Sequence, residues 1–246
     1  MTRNPYDEQT ATAFKAVREV PRDGLDEWRE AIGRYIEPGM TLVDIGAGTG
    51  AYASAFSDWF GIDVIAVEPS QAMRSHIPSS IRAFAGDATA LPLPDASADA
   101  AWLSLVIHHV PDLQAAAREI RRVLRHGAPI LLRQGFRDRY TPDAIEIIRW
   151  FPETARAVET FPSFAETCAA FATAGFELES VAPVRETNTA SLADFLGELD
   201  EFRTADTTMR QLTDEEFGRG KERLRRAVEA GNDEPRSNWL DLVVLR

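Results

Sequence analysis

Apolar positions along this chain switch between two rhythms. In "VPRDGLDEWREAIGRYI" they recur every three or four residues, at Leu25, Trp28, Ile32 and Ile36, which predicts a helix. "PGMTLVDIG" then reads as a turn followed by a buried strand, and "AYASAFSDWFG" as a helix carrying Tyr52, Phe56 and Trp59 and ended by Gly61. "IDVIAVEPS", rich in β-branched residues, predicts a second strand. "QAMRSHI" begins a helix, "IRAFAGDA" is a short third strand, and "DAAWLSLVIHHV" contains a fourth. "LQAAAREIRRVLR" is strongly helical, and "APILLRQGF" reads as a fifth strand. This alternation predicts an α/β fold, a mostly parallel sheet with helices on both faces.

After Phe136 the rhythm changes. "TPDAIEIIRWFPETARAVETFPSFAETCAAFATAGF" is helical and aromatic, broken by Pro142, Pro152 and Pro162. "FELESVAPVRET" predicts a strand, residues 191–230 a second helical block, and "NWLDLVVLR" a final strand. No internal repeat or low-complexity linker interrupts the pattern. The expected layout is a single domain over 1–246: an N-terminal helical segment (1–40), a core (41–136), helical insertions with one strand (137–235), and the last strand (236–246).

Composition narrows the partners. With 246 residues, 44% apolar and 27% charged, the chain has the balance of a soluble globular protein large enough to bury its own core. The 39 acids outnumber 27 bases, and a net charge of −12 repels phosphate backbones, which argues against nucleic acid. The basic run "REIRRVLRH" has helical spacing and reads as a solvated helix face. A single cysteine, Cys168, excludes an internal disulfide framework, and four scattered histidines offer no metal-ligand spacing. The polar first thirty residues lack a signal peptide's apolar run, and no stretch has the length of a membrane span. A cytoplasmic protein without membrane partners is therefore expected.

The chemistry concentrates in "LVDIGAGTGAYASAF". Gly46, Gly48 and Gly50 sit where a strand turns into a helix, a place suited to close backbone approach by a ligand. "GAGTGA" and the later Glu68 also satisfy the dinucleotide fingerprint, so a nicotinamide-dependent oxidoreductase stays open on the pattern alone. Asp44, two residues ahead of the first glycine, repels a diphosphate and attracts a ligand carrying an ammonium and a sulfonium. "GDATALPLPDASAD" then places another acid at the end of the third strand.

With these motifs in order, residues 41–134 resemble the class I S-adenosylmethionine (SAM)-dependent methyltransferases, most closely the small-molecule group called methyltransferase type 11. The resemblance implies a Rossmann-like sheet of seven strands whose last strand inserts antiparallel. It implies that Gly46, Ala47, Gly48 and Gly50 wrap the methionine moiety while Asp44 orients its amino group. Glu68 would accept from both ribose hydroxyls, Pro69, Ser70 and Met73 flank the nucleoside, and Asp87 and Ala88 read the adenine. Ser104 and Leu105 would line the site beneath the sulfur. Upstream, "AFKAVREVP" is similar to a segment whose arginine holds the SAM carboxylate, here Arg18, with Phe14 where relatives often have tyrosine. "RHGAP" departs from the usual proline-glycine turn at a surface position.

His108 and His109 follow the fourth strand, at the sheet edge where α/β folds bind ligands, and are the candidates for a catalytic base. They also fit a plain strand ending that lines the pocket. Tyr140, Trp150, Phe151 and Phe161 are candidates for an acceptor pocket, with Trp150 and Phe151 equally suited to the core of the insertion. The expected reaction is SN2 transfer of the sulfonium methyl to an oxygen, nitrogen or carbon of a small apolar or aromatic molecule. A SAM-binding enzyme that promotes cyclisation without methylating fits the same motifs, and an interaction protein with a decayed pocket fits them least.

Overall fold

The computed structural model describes residues 7–18, 22–139 and 146–246, the side chains of residues 17, 18, 22 and 23 lying outside that set. Helices α1 (Glu8–Arg18) and α2 (Asp26–Gly33) precede the sheet. The core then runs β1 (Thr41–Ile45), α3 (Ala51–Phe60), β2 (Asp63–Val67), α4 (Gln71–Arg74), β3 (Arg82–Phe84), β4 (Ala100–Ser104), α5 (Leu113–Val123) and β5 (Ile130–Gln134). It continues through α6 (Glu146–Trp150), α7 (Ala155–Val158), α8 (Phe164–Ala172), β6 (Leu178–Thr189), α9 (Leu192–Ala205), α10 (Asp214–Glu229) and β7 (Arg236–Leu245).

The seven strands are ordered β3-β2-β1-β4-β5-β7-β6. β1 to β5 pair in parallel, and β7 inserts antiparallel between β5 and β6. The expected seven-stranded, mostly parallel sheet with an antiparallel last strand is what the chain forms. Its order reverses between β1 and β4, which opens a crevice beyond their carboxyl ends.

Because side chains alternate along a strand, each face of the sheet builds its own core. Val43, Ile45, Leu103 and Leu132 pack with Ile120 of α5 and Phe171 of α8. On the other face, Leu42, Trp102 and Leu131 pack with Trp28 of α2 and Phe56 of α3. Trp102 sits at the centre there, with ring centroids 6.0 Å from Trp28 and 5.2 Å from Phe56, both edge-on. The later helices make a third core of Ile148 and Phe151, Phe195 and Leu199, Phe217 and Leu224. Sequence signals set their starts: Ser163 with Glu166, and Thr213 with Glu216, form reciprocal capping boxes on α8 and α10.

Two elements are shorter than their patterns. The helix expected through Ile36 stops at Gly33, leaving Ile36 to pack against the Trp28 core from the loop. α4 stops at Arg74, whose guanidinium folds back to donate to the carbonyls of Glu68 (2.7 Å) and Pro69 (2.8 Å), and Pro78 follows. No helix among the described residues is long and apolar enough to cross a membrane.

Candidate active site

The glycine turn leaves β1 at the sheet's switch point. Gly46 has φ +72, and a Cβ there would stand 2.5 Å from Cγ2 of Val106, so both the dihedral and the space require glycine. The turn spends its backbone donors internally. Gly46 and Ala47 N–H donate to the Val67 carbonyl (2.7 and 3.2 Å), Gly48 N–H to Oε2 of Glu68 (2.9 Å), and Gly50 N–H to the Ala47 carbonyl (2.9 Å). A diphosphate cradle needs such N–H groups pointing at the ligand. Here a strand carbonyl, a turn carbonyl and a carboxylate already hold these four.

Two buried acids lie against this turn. Asp44 is 2% exposed, its Oδ2 has no hydrogen-bond partner, and its pKa is pushed up to about 8. Burial is the main cause, the Glu68 carboxylate adds to it, and the Ala53 N–H opposes both. An orphaned carboxylate oxygen fits the ammonium of an amino-acid ligand. Glu68 at the end of β2 is pinned from both sides, Oε1 accepting from Ser70 N–H and Oε2 from Gly48 N–H, each at 2.9 Å. Burial raises its pKa while those two N–H groups and Arg74 hold it down. Each pinned oxygen keeps a further lone pair for a ligand hydroxyl. Ser70 caps α4 by accepting from Met73 N–H (3.3 Å). The Met73 methyl and the Phe14 ring edge lie 3.5 and 3.7 Å from where a Gly48 side chain would begin. Met73 and Phe14 therefore close over the same turn.

The remaining nucleoside candidates lie beyond β3. Exposed Asp87 accepts through Oδ1 from the Thr89 N–H (2.7 Å) and hydroxyl (2.6 Å), and Ala88 beside it is buried. At the end of β4, Ser104 Oγ accepts from Nη1 of Arg133 (2.9 Å). Leu105 has φ +55, a left-handed conformation that a branched side chain adopts only when its surroundings impose it. Its N–H is tied to the Arg133 carbonyl at 2.8 Å.

Sequence reasoning missed the group behind Ser104. Arg133 on β5 pairs with Glu186 on β6, both almost fully buried, and the guanidinium lies 5.4 Å from the ring centroids of Tyr52 and of Trp28. Burial drives the Tyr52 hydroxyl far above its ordinary range. The sequence pattern singles out neither residue: β6 carries Arg185, Thr187 and Asn188 beside Glu186, and β5 carries Gln134 beside Arg133.

The histidines occupy a short 3-10 turn, Ile107–His109, directly after β4. The His108 ring packs against His109 (centroids 4.1 Å apart) and stacks on Phe161 (4.2 Å, nearly parallel at 17°). Its Nδ1 is 3.3 Å from Nε2 of Gln134. His109 retains exposed surface, yet crowding and the Arg210 charge push its pKa below the ordinary imidazole value. Phe161 thus joins the histidines, whereas Trp150 and Phe151 do not. Phe151 is fully buried and stacks on Phe217, and both residues belong to the third core. Tyr140 and the Arg18 side chain lie outside the described residues.

Residues 43–132 match the family model of the type 11 methyltransferase domain. This stretch of the core is thus similar to a methyltransferase domain. Curated relatives include the demethylmenaquinone methyltransferase of Renibacterium salmoninarum, 34% identical over 43% of this chain and 46% of the relative. Another is the ubiquinone/menaquinone biosynthesis C-methyltransferase of a Caulobacter species, 30% identical over 53% of this chain and 59% of the relative. The chain spans about half the length of the curated relatives it matches. Among solved structures, a candidate methyltransferase of an antibiotic biosynthesis pathway from Anabaena variabilis aligns over 89% of this chain and 96% of its own. Its TM-score is 0.74 at 22% identity. Geranyl diphosphate C-methyltransferase from Streptomyces coelicolor aligns over 89% of this chain and 77% of its own, with TM-score 0.54 at 19% identity. These structural likenesses concern the fold alone, and as alignments of fold they extend beyond residues 43–132.

Proposed function

We propose that this chain is a SAM-dependent methyltransferase acting on a small molecule. The observation that carries the reading is the pair of buried acids at the glycine turn: Asp44 with an orphaned oxygen, and Glu68 clamped by the turn's own N–H groups. This donor and acceptor set suits an ammonium and a pair of vicinal hydroxyls. It offers little to a nicotinamide dinucleotide, whose diphosphate would find the N–H groups of Gly46, Ala47 and Gly48 already engaged.

In this reading Asp44 takes the ammonium, Glu68 the ribose hydroxyls, and Gly46, Ala47 and Gly48 the methionine chain. Pro69, Ser70 and Met73 flank the nucleoside, with Asp87 and Ala88 at the base and Arg18 at the carboxylate. SAM, when bound, supplies a methyl group already activated by the neighbouring sulfonium. The protein's part is to position the acceptor in line with that methyl and to exclude water. Ser104, fixed by Arg133, and Leu105, fixed in its strained conformation, shape the floor where acceptor and methyl meet. His109, held neutral, takes the proton that an acceptor loses as its new bond to methyl forms.

Among oxygen, nitrogen and carbon acceptors, a carbon of a hydroxylated aromatic ring is our first choice. Support comes from relatives named for methylating quinone precursors, and from Phe161 stacked beside the strand-end histidine. Likeness to the cyclase SpnF (19% identity, TM-score 0.59) is a likeness of fold and does not favour a cyclisation. The test is incubation with SAM and a panel of hydroquinones, phenols and amines, read by mass spectrometry. Gain of one methyl on a ring carbon, with release of S-adenosylhomocysteine, supports the proposal. Tight SAM binding with no methylated product from any acceptor class counts against it.

A further inference from the structure

The two adjacent histidines are not equivalent, and Gln134 is what distinguishes them. Gln134 is the last residue of β5, 1% exposed, and its side chain reaches across to the turn after β4. Its Nε2 donates to the carbonyl of Gly135 at 2.9 Å and lies 3.3 Å from Nδ1 of His108, while its Oε1 is buried without a partner. The carbonyl decides which way the amide points. Turning the amide over would set Oε1 against the Gly135 oxygen, acceptor facing acceptor, and lose the 2.9 Å hydrogen bond. With the –NH2 thus fixed towards His108, Nδ1 must accept. A neutral imidazole that accepts at Nδ1 carries its one proton on Nε2.

We infer that Gln134 is a positioning residue that locks His108 as its Nε2–H tautomer, making His108 a hydrogen-bond donor in the site and leaving the proton-accepting role to His109. A proton on Nδ1 would bring two donors face to face, so the lock also opposes formation of the imidazolium. The ring stacks on Phe161 and packs against the tilted His109 ring. His109, the titratable neighbour of His108, is itself under the positive field of Arg210, which disfavours a second proton on it. For the transfer reaction, on which this role rests, a donor Nε2–H suits an acceptor that carries an oxygen beside its nucleophilic atom, as a phenolate or enolate does. No proton leaves His108 in the reaction; it steadies charge on that oxygen while the new bond to methyl forms elsewhere.

The tautomer is observable without any substrate. Long-range ¹H–¹⁵N correlation on the imidazole-labelled full chain at pH 7.5, assigned with His108→Gln, is expected to show His108 with Nδ1 unprotonated and Nε2 protonated. Gln134→Glu replaces the opposing donor by an acceptor and is expected to shift His108 towards Nδ1-protonated forms. Gln134→Leu removes the donor and is expected to raise the pH at which His108 titrates. Backbone amide spectra check that both variants keep the sheet. Wild-type His108 protonated on Nδ1 at pH 7.5 overturns the inference, as does a His108 titration that neither substitution moves. These outcomes are independent of SAM binding, so a failed lock and a failed methyltransferase reading are told apart.

Discussion

Asp44 serves folding and binding in opposite ways. Because its pKa in the folded chain is pushed up to about 8, well above the ~3.9 of an unfolded aspartate, the native state holds a proton that the unfolded state releases. Its contribution to stability is therefore intact below about pH 4 and lost as pH rises towards 8. Asp44→Asn should then be more stable than wild type at pH 8, by on the order of 1–3 kcal/mol, because no buried charge is left unpaired. A thermal melt of each ligand-free protein at pH 5 and pH 8 reads this; equal melting temperatures at both values would remove the argument. The same substitution should cripple SAM binding. In wild type, affinity should climb between about pH 6 and 7.5 by up to about tenfold per unit, since the ammonium pairs with ionised Asp44 and expels its proton. Glu68→Ala should weaken binding by about 1–3 kcal/mol through loss of charged hydrogen bonds, measured as a calorimetric dissociation constant. The residue types at these positions were legible in the sequence because an acid before glycines and an acid after a strand each suit one ligand chemistry. That Asp44 has an orphaned oxygen, and that Glu68 is clamped by Gly48 and Ser70, depends on how two strand ends meet and could not be read there.

At the level of elements, the strand-turn-helix of β1, the glycines and α3 should be the least tolerant piece. Gly46→Ala sets a Cβ against Val106 and forces a non-glycine to φ +72, which should cost about 2–4 kcal/mol of stability and abolish SAM binding. Gly61→Ala makes the comparison fair. It also has positive φ (+63) but nothing within 4 Å, so only about 1 kcal/mol and no binding should be lost. Comparable damage from both substitutions, in melts and titrations, would show that the dihedral and not the packing against Val106 matters. β1, β2, β4 and β5 were legible because each is a short, mostly apolar run bounded by turn residues, and strands buried on both faces tolerate few polar side chains. α4 was not, because its length is set by Arg74 turning back onto the Glu68 and Pro69 carbonyls. The Arg133–Glu186 pair was equally hidden: β5 and β6 come within reach only because β7, last in the chain, pairs with both.

Across the whole molecule, the sheet with its two cores and the helical insertions with their third meet at the histidine turn and along α1, which packs on α9. The third core can be loosened on its own. A Cβ at Gly220 of α10 would fall 2.1 Å from the Phe151 ring, so Gly220→Ala should lower the melting temperature by several degrees while leaving SAM affinity within about threefold. The sequence distinguished these insertions from the core by their change of rhythm after Phe136, but assigned Trp150 and Phe151 no single place, because an aromatic in a helix looks alike whether it lines a pocket or fills a core. What unites the scales is the claim that the crevice between β1 and β4 selects a cationic amino-acid nucleoside. The most direct test is isothermal titration of the full chain at pH 7.5 with SAM and, separately, with NAD. Saturable one-to-one binding of SAM, lost in Asp44→Asn, with no heat from NAD is the predicted result; saturable binding of NAD with none of SAM would contradict it.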